Sequence, residues 1–217
     1  MCAISTATKE ANQLFPLYLY PDATLTNSEK KVDSKEENFT ADFRKYINKK
    51  YGKGIAPEQI LGYIYAILHS ETYRNKYSEF LKDKFARIPF TNDRALFEEL
   101  SNLGSKLVNV HLLEEEFNTS FGEFKGKGSD IVDYIKYIEE MKTGKIFINN
   151  CQYFDHVPEE VWQFKIGGFT VVKKFLDERK TRKLLIKEME RVGAIINSIA
   201  FTIEQMKKTD KLTKSWI

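Results

Sequence analysis

The sequence predicts an α+β fold, mostly helical, with a small mixed or antiparallel sheet on which the helices pack. Three observations predict it. Apolar residues recur at steps of three and four over several segments, most clearly at Leu96, Leu100, Leu103, Leu107 and Val110. Two short runs, 145–149 and 161–166, are dense instead in β-branched and aromatic residues, the composition of strands. Glycine or proline punctuates the boundaries, as at Pro57, Gly144 and Gly167-Gly168.

In chain order, residues 1–13 are predicted to be a tail, and residues 14–217 a single domain. Leu14-Phe-Pro-Leu-Tyr-Leu-Tyr20 has the density of a strand, with Pro16 suited to an edge or entry position. Residues 22–38 carry almost no apolar content and are expected to form a flexible loop. Phe39, Phe43 and Ile47 set a helix over 39–51, stopped by Gly52 and Gly54. Pro57 starts the next, whose Ile60, Leu61, Ile64, Ile67 and Leu68 cover a wide face that should be buried. Ser70 caps a helix running to about Lys82 with Tyr73, Tyr77 and Phe80 as its inner stripe, and Asn92 caps the one over 93–113. Ser129 as cap, Asp130 and Asp133 in the first turn and Gly144 as stop predict a helix over 130–142. Strands follow over 145–149 and 161–166, then a helix over 170–179. A last helix over 183–208 carries Ile186, Met189, Val192, Ile196, Ile199, Ile203 and Met206, a stripe expected to pack in the core, the helix beginning at Asp93 being a candidate partner, with a dimerising coiled coil as the alternative that too few heptads disfavour.

Composition narrows the function. No apolar run approaches the roughly 20 residues that cross a bilayer, and the start lacks a signal-peptide core, so neither membrane insertion nor secretion is expected. Cys2 and Cys151 lie far apart without metal-ligand company, which fits a reducing, cytoplasmic setting and no zinc site. The net charge of +3 is modest, yet basic residues cluster: Lys173, Lys174, Arg179, Lys180, Arg182 and Lys183 form one group, and Arg74, Lys76, Lys82, Lys84 and Arg87 another.

Catalytic constellations find little support. Pro21-Asp22 with Glu29-Lys30-Lys31 mimics a magnesium nuclease motif but lacks an apolar strand to hold it. Phe124-Lys-Gly126-Lys-Gly128 mimics a methyltransferase cofactor loop without the preceding apolar strand, and is expected to be a helix-to-helix loop. His69, His111 and His156 are separated from one another and from any nucleophile motif, and His69 is expected to be structural. What remains is a polar group, Asn149, Asn150, Gln152 and Tyr153, close in sequence to Gln163 and Lys165. Asn and Gln can pair with adenine edges and Lys with guanine, although the same residues also suit an ordinary polar hairpin.

Three blocks carry a family resemblance: Phe15-Pro-Leu-Tyr-Leu-Tyr-Pro21; Tyr63-Ile-Tyr-Ala-Ile-Leu-His-Ser70 with Tyr73-Arg74, Tyr77 and the run from Phe85 to Phe90; and Trp162-Gln-Phe-Lys-Ile-Gly-Gly-Phe169 with Lys174-Phe175-Leu176 and Arg179. The chain resembles the C-terminal target recognition domain of type ISP single-polypeptide restriction–modification enzymes. It differs in having Ala86 where the pattern commonly has proline. The resemblance implies a non-catalytic, isolated specificity domain that reads duplex DNA and holds it against an adenine N6 methyltransferase domain, where the target base is flipped out. It implies that S-adenosylmethionine, ATP and magnesium belong to the parent enzyme, with no cofactor in this chain, and no oligomer is expected. Bases would be read by Asn149, Asn150, Gln152, Tyr153, Gln163 and Lys165, and phosphates held by Arg74, Lys76, Lys173, Lys174, Arg179, Lys180 and Arg182. The alternative is a helical module that docks helicase and methyltransferase parts together.

Overall fold

The computed structural model describes residues 2–4, 11–13, 15–20, 35–114 and 121–217, the first two segments by their backbone alone. Within the stretch predicted as a tail, β1 (Cys2–Ile4) pairs antiparallel with β2 (Ala11–Gln13). β3 (Tyr18–Leu19) pairs antiparallel with β4 (Glu36–Glu37), so the strand predicted over 14–20 is realised as a two-residue pair. Of the loop expected over 22–38, residues 22–34 lie outside the described residues, as do the Glu29 and Lys31 of the nuclease-like match.

The helices follow their caps. α1 (Ala41–Tyr51) starts where the Thr40 hydroxyl accepts from the Phe43 N–H and stops at Gly52, whose φ of 89° is one that L side chains rarely adopt. α2 (Pro57–His69) has proline at its first position, as predicted. The single helix expected after Ser70 is broken at Tyr77 into α3 (Glu71–Lys76) and α4 (Ser78–Asp83). α5 (Arg94–His111) is capped by Asp93, which accepts from the Ala95 and Leu96 N–H groups, and not by Asn92. Buried faces of α1, α2, α3 and α5 meet in one core containing Ile47, Tyr51, Ile60, Tyr63, Ile67, Tyr73, Phe97 and Leu100.

The second half builds a four-stranded antiparallel sheet in the order β5-β8-β7-β6 from β5 (Glu123–Lys125), β6 (Lys136–Glu140), β7 (Thr143–Phe147) and β8 (Tyr153–Val157). The helix predicted over 130–142 is therefore wrong. Ser129 does accept from the N–H two residues on, that of Ile131, but Asp130 sits at φ 61°, outside the helical region, and the Ile, Val and Tyr residues that follow favour an extended chain. Gly144 is not a helix stop either: it lies in β7, where an added Cβ would stand 2.4 Å from the Tyr137 ring across the strand pair.

The strand predicted over 161–166 is likewise corrected. Pro158 opens a one-turn helix, α6 (Glu159–Trp162), with Glu159 and Glu160 in its first turn. β9 (Lys165–Ile166) and β10 (Phe169–Thr170) then form a minimal hairpin about Gly167-Gly168, and α7 (Val171–Asp177) follows. Val132, Ile146, Phe154, Val161, Val172 and Leu176 make the second core.

α8 (Ile186–Thr213) joins the two. Its first half contributes Val192, Ile196 and Ile199 to the sheet core, while Leu212, beside Trp216 and Ile217, packs on the helical core. It also lies on α5, where Ser198 and Thr202 bond to Val110 and His111, whereas its apolar stripe serves mainly the sheet core and Ile186 is exposed. No described helix is long and apolar enough to cross a membrane.

Candidate nucleic-acid interface

One end of the sheet gathers three loops. β5 ends at Lys125 opposite Tyr153, so the segment after β5 emerges beside the 148–152 turn that links β7 to β8. An added Cβ on Gly126 would lie 2.0 Å from the Cys151 carbonyl oxygen, and one on Gly128 2.7 Å from Gln152 Oε1. Gly126 is thus needed because the backbones of loop and turn touch, and Gly128 because the Gln152 and Cys151 side chains lie against it. The Phe124-Lys-Gly-Lys-Gly128 stretch, expected as a helix-to-helix loop, is the end of a strand and the loop it feeds. The third member, residues 180–184, bridges to Ile131 and Val132, with the Leu184 N–H donating to the Asp130 carbonyl (2.8 Å) and the Thr181 N–H to that of Val132 (2.9 Å).

Gln152 ties these together and is buried. Its Oε1 accepts from the Asp130 N–H (2.8 Å) and from Asn149 Nδ2 (3.0 Å), and its Nε2 donates to Asp130 Oδ1 (2.7 Å). Asn149, also buried, accepts at Oδ1 from the N–H groups of Cys151 and Gln152 and donates to the Ile131 carbonyl. Both amides are spent on the turn. The Gln152 amide, with Lys183 3.2 Å away, holds the Asp130 carboxyl below its usual range.

Outward from this frame stand exposed groups. Asn150 accepts at Oδ1 from the Tyr134 hydroxyl (3.2 Å), and Lys127 is exposed at the loop tip with no ion pair among the described residues. Tyr153 is half-buried against Phe147, with Lys145 over its ring. Lys180 and Lys183 are tethered to Asp177 (2.8 Å) and Asp130, leaving each ammonium accessible.

Glu188, in the first turn of α8, orders the basic loop. It accepts from both terminal nitrogens of Arg182, from the Leu185 N–H and from Arg179 Nε, and these donors pull its carboxyl down to about 2. The two arginines differ. Arg182 keeps 47% of its side chain exposed, whereas Arg179 keeps 18%, lies 3.5 Å over the Phe175 ring and donates to the Phe175 carbonyl. Lys173 pairs with Asp177, and Lys174 covers the Phe169 ring at 3.9 Å.

Other candidates lie elsewhere. Gln163 and exposed Lys165 follow the far end of β8, about 15 Å of strand from the 148–152 turn at ~3.3 Å per residue, and Gln163 donates to Glu159 (2.5 Å). Arg74 and Lys76 sit on α3 beside the C-terminal part of α8, where Lys76 also donates to the Ile217 carbonyl. Lys127 and Tyr134 are not among the residues predicted to read DNA, whereas Lys183 belongs to the predicted basic group. A lysine between two glycines is the available signal for the first, and only the fold brings the second to this edge.

The histidines, separated in sequence, partly converge. The His69 and His111 rings lie 5.3 Å apart on the wall of a cavity of about 560 Å³, and burial pushes both below the ordinary imidazole range. Tyr65 Oη lies 2.7 Å from His111 Nδ1, and Thr202 Oγ1 lies 2.8 Å from His111 Nε2. Because Thr202 gives its proton to the Ser198 carbonyl, His111 Nε2 is the donor and Nδ1 the acceptor. No cluster of three or more metal-ligating side chains occurs among the described residues.

A family model described as the Type ISP C-terminal specificity domain matches residues 1–214. The chain belongs to this family. It is a Type ISP C-terminal specificity domain. Solved structures share its fold. One is described as the ATP-dependent Type ISP restriction–modification enzyme LlaBIII bound to DNA, with a TM-score of 0.63 and 16% identity over 91% of this chain and 13% of that one. A DrdV–DNA complex gives 0.68 and 19% over 89% and 21%, and a nuclease-deletion mutant of the Type ISP enzyme LlaGI with a DNA substrate mimic gives 0.58 and 18% over 80% and 14%. This chain covers 13 to 21% of the length of those chains. No curated protein matches it.

Proposed function

We propose that this domain reads duplex DNA with the three-loop edge of its sheet and holds the duplex for base flipping and methylation by an adenine N6 methyltransferase domain outside this chain. On this reading it performs no chemistry itself, and S-adenosylmethionine, ATP and magnesium act in the parent enzyme. The observation that carries the reading is the convergence of Lys127, Asn150 with Tyr134, and the Lys180–Arg182–Lys183 loop on one rigid edge. Asn150 and Lys127 have the donors and acceptors that base edges require, and the basic loop supplies phosphate contacts that set register. Asn149 and Gln152, expected to read bases, hold the frame instead, and Arg179 braces the loop through Glu188. DNA bound to the solved structures of like fold supports duplex DNA as the partner.

The test is selection of the chain against a random-sequence duplex library across salt concentrations. Enrichment of one sequence, lost in the Asn150→Ala and Lys127→Ala variants, is expected. Binding without enrichment would overturn the reading.

A docking role toward the methyltransferase part is supported by a different surface. The cross-strand pair Ile166 and Phe169 on the β9–β10 hairpin remains 66% and 59% exposed, an apolar knob that DNA reading does not use. Phe169→Ser should leave DNA binding by this chain unchanged while weakening its association with a methyltransferase domain supplied separately.

A further inference from the structure

Two basic groups are anchored at opposite ends of one helix. The 179–183 loop is fixed to Glu188 at the start of α8 through Arg179 and Arg182. The start of α3 is fixed near its other end, where Asp210 Oδ1 accepts from the Ser70 hydroxyl (2.6 Å) and from the Thr72 N–H (3.0 Å). Glu188 and Asp210 are 22 positions apart, which at ~1.5 Å per residue is about 33 Å. At ~3.6 residues per turn those positions differ by about 40° around the helix. The loop and α3 are therefore seated on the same side of α8, separated by a distance close to the ~34–36 Å of one turn of B-DNA.

We infer that the domain grips duplex DNA at two points one helical turn apart, with α8 as the spacer that sets the interval. The inference rests on the DNA-reading function proposed above. The first grip is Lys180, Arg182 and Lys183. The second is Arg74, exposed on α3 with no ion pair among the described residues, together with Lys76. Nearby acids do not cancel it: Asp210 is occupied by Ser70 and Thr72, and Glu71 faces the groove of Glu160, Lys207 and Asp210. Because a duplex presents the same face again after one turn, phosphates reached at one end of α8 recur at the other. This second grip contributes affinity and orientation but no base preference.

The experiment uses the whole chain and duplexes that carry the selected sequence with flanks lengthened on one side or the other. Affinity should step up when one flank reaches about ten base pairs, and the salt slope should steepen by about one per added phosphate contact. Arg74→Ala should remove the step and that part of the slope while leaving base preference unchanged, whereas Arg182→Ala should weaken binding at every length. A wild type that binds its selected sequence but shows no step, or an Arg74→Ala variant that keeps it, overturns the two-point grip and leaves sequence reading intact. A wild type that selects no sequence overturns the proposed function itself.

Discussion

Replacing Gly104 by alanine sets two effects of opposite sign against each other. On an exposed helix the change should stabilise by about 1 kcal/mol, because glycine is the poorer helix former. Here α2 and α5 cross so closely that an ideal Cβ on Gly104 would stand 1.7 Å from the Gly62 carbonyl oxygen. An ordinary carbon-to-oxygen contact is about 3.3 Å, so the helices must part by about 1.5 Å. That displacement opens an interface formed by Tyr63, Ala66, Ile67, Leu100 and Leu107, each with no exposed surface. Overpacking of a close-packed core costs about 1–3 kcal/mol, and a clash with backbone belongs at the upper end because no rotamer can relieve it. The expected net loss is about 2 kcal/mol, a fall in Tm of about 4–8 °C for a chain of this size. Urea denaturation followed by circular dichroism at 222 nm measures it. Gly62→Ala, whose Cβ would meet the Ser101 carbonyl at 2.4 Å, should behave alike, and the double variant should lose less than the sum because one separation serves both. A Gly104→Ala protein more stable than wild type would refute the close crossing.

Other outcomes are expected from single side chains. Gln152→Leu leaves the Asp130 N–H and Asn149 Nδ2 short of a partner, and should cost about 2–3 kcal/mol by urea denaturation while blurring base preference in a binding selection. His69 and His111 titrate below the ordinary value of 6.5 when folded, so the unfolded chain binds more protons just below that pH. Stability should therefore be fully present above pH 6.5 and decline as pH falls from there, a slope that His69→Gln with His111→Gln flattens. Arg179→Ala should lower stability by about 1–3 kcal/mol through loss of Glu188 and Phe175, whereas Arg182→Ala should chiefly reduce the salt dependence of DNA binding.

Helices were legible wherever periodicity and cap agreed. Pro57 and Ser70 open helices because their ring geometry or side chain suits the first turn, and the apolar stripes then decide which face is buried; the Thr40 cap, one residue inside the predicted helix over 39–51, carries no such signal. The sheet was less legible because its signals are shared. Ser129, Asp130, Asp133 and Gly144 mimic the start and stop of a helix, but the choice falls to long-range pairing: Asp133 and Tyr134 both donate to the Ile148 carbonyl, and Val132 donates to Arg182. Such partners, lying 14 to 50 positions away, leave no trace in a local window.

The interface shows the same division. Asn and Gln at 149–152 have the chemistry of base readers, and that chemistry is equally what a tight turn consumes. Residue type states what a side chain can bond, while burial decides what it does bond, and here Asn149 and Gln152 are saturated by Ile131, Cys151 and Asp130. Their neighbour Asn150 is exposed because the turn they make pushes it outward. The same holds for Arg179 and Arg182, three positions apart on one loop and both bonded to Glu188: the ring of Phe175 draws the first inward, and the second is left at the surface. A DNA-reading edge needs both kinds of residue, since an exposed amide discriminates bases only when its backbone is held fixed. On the proposed function, the saturated side chains are what would make the exposed ones selective.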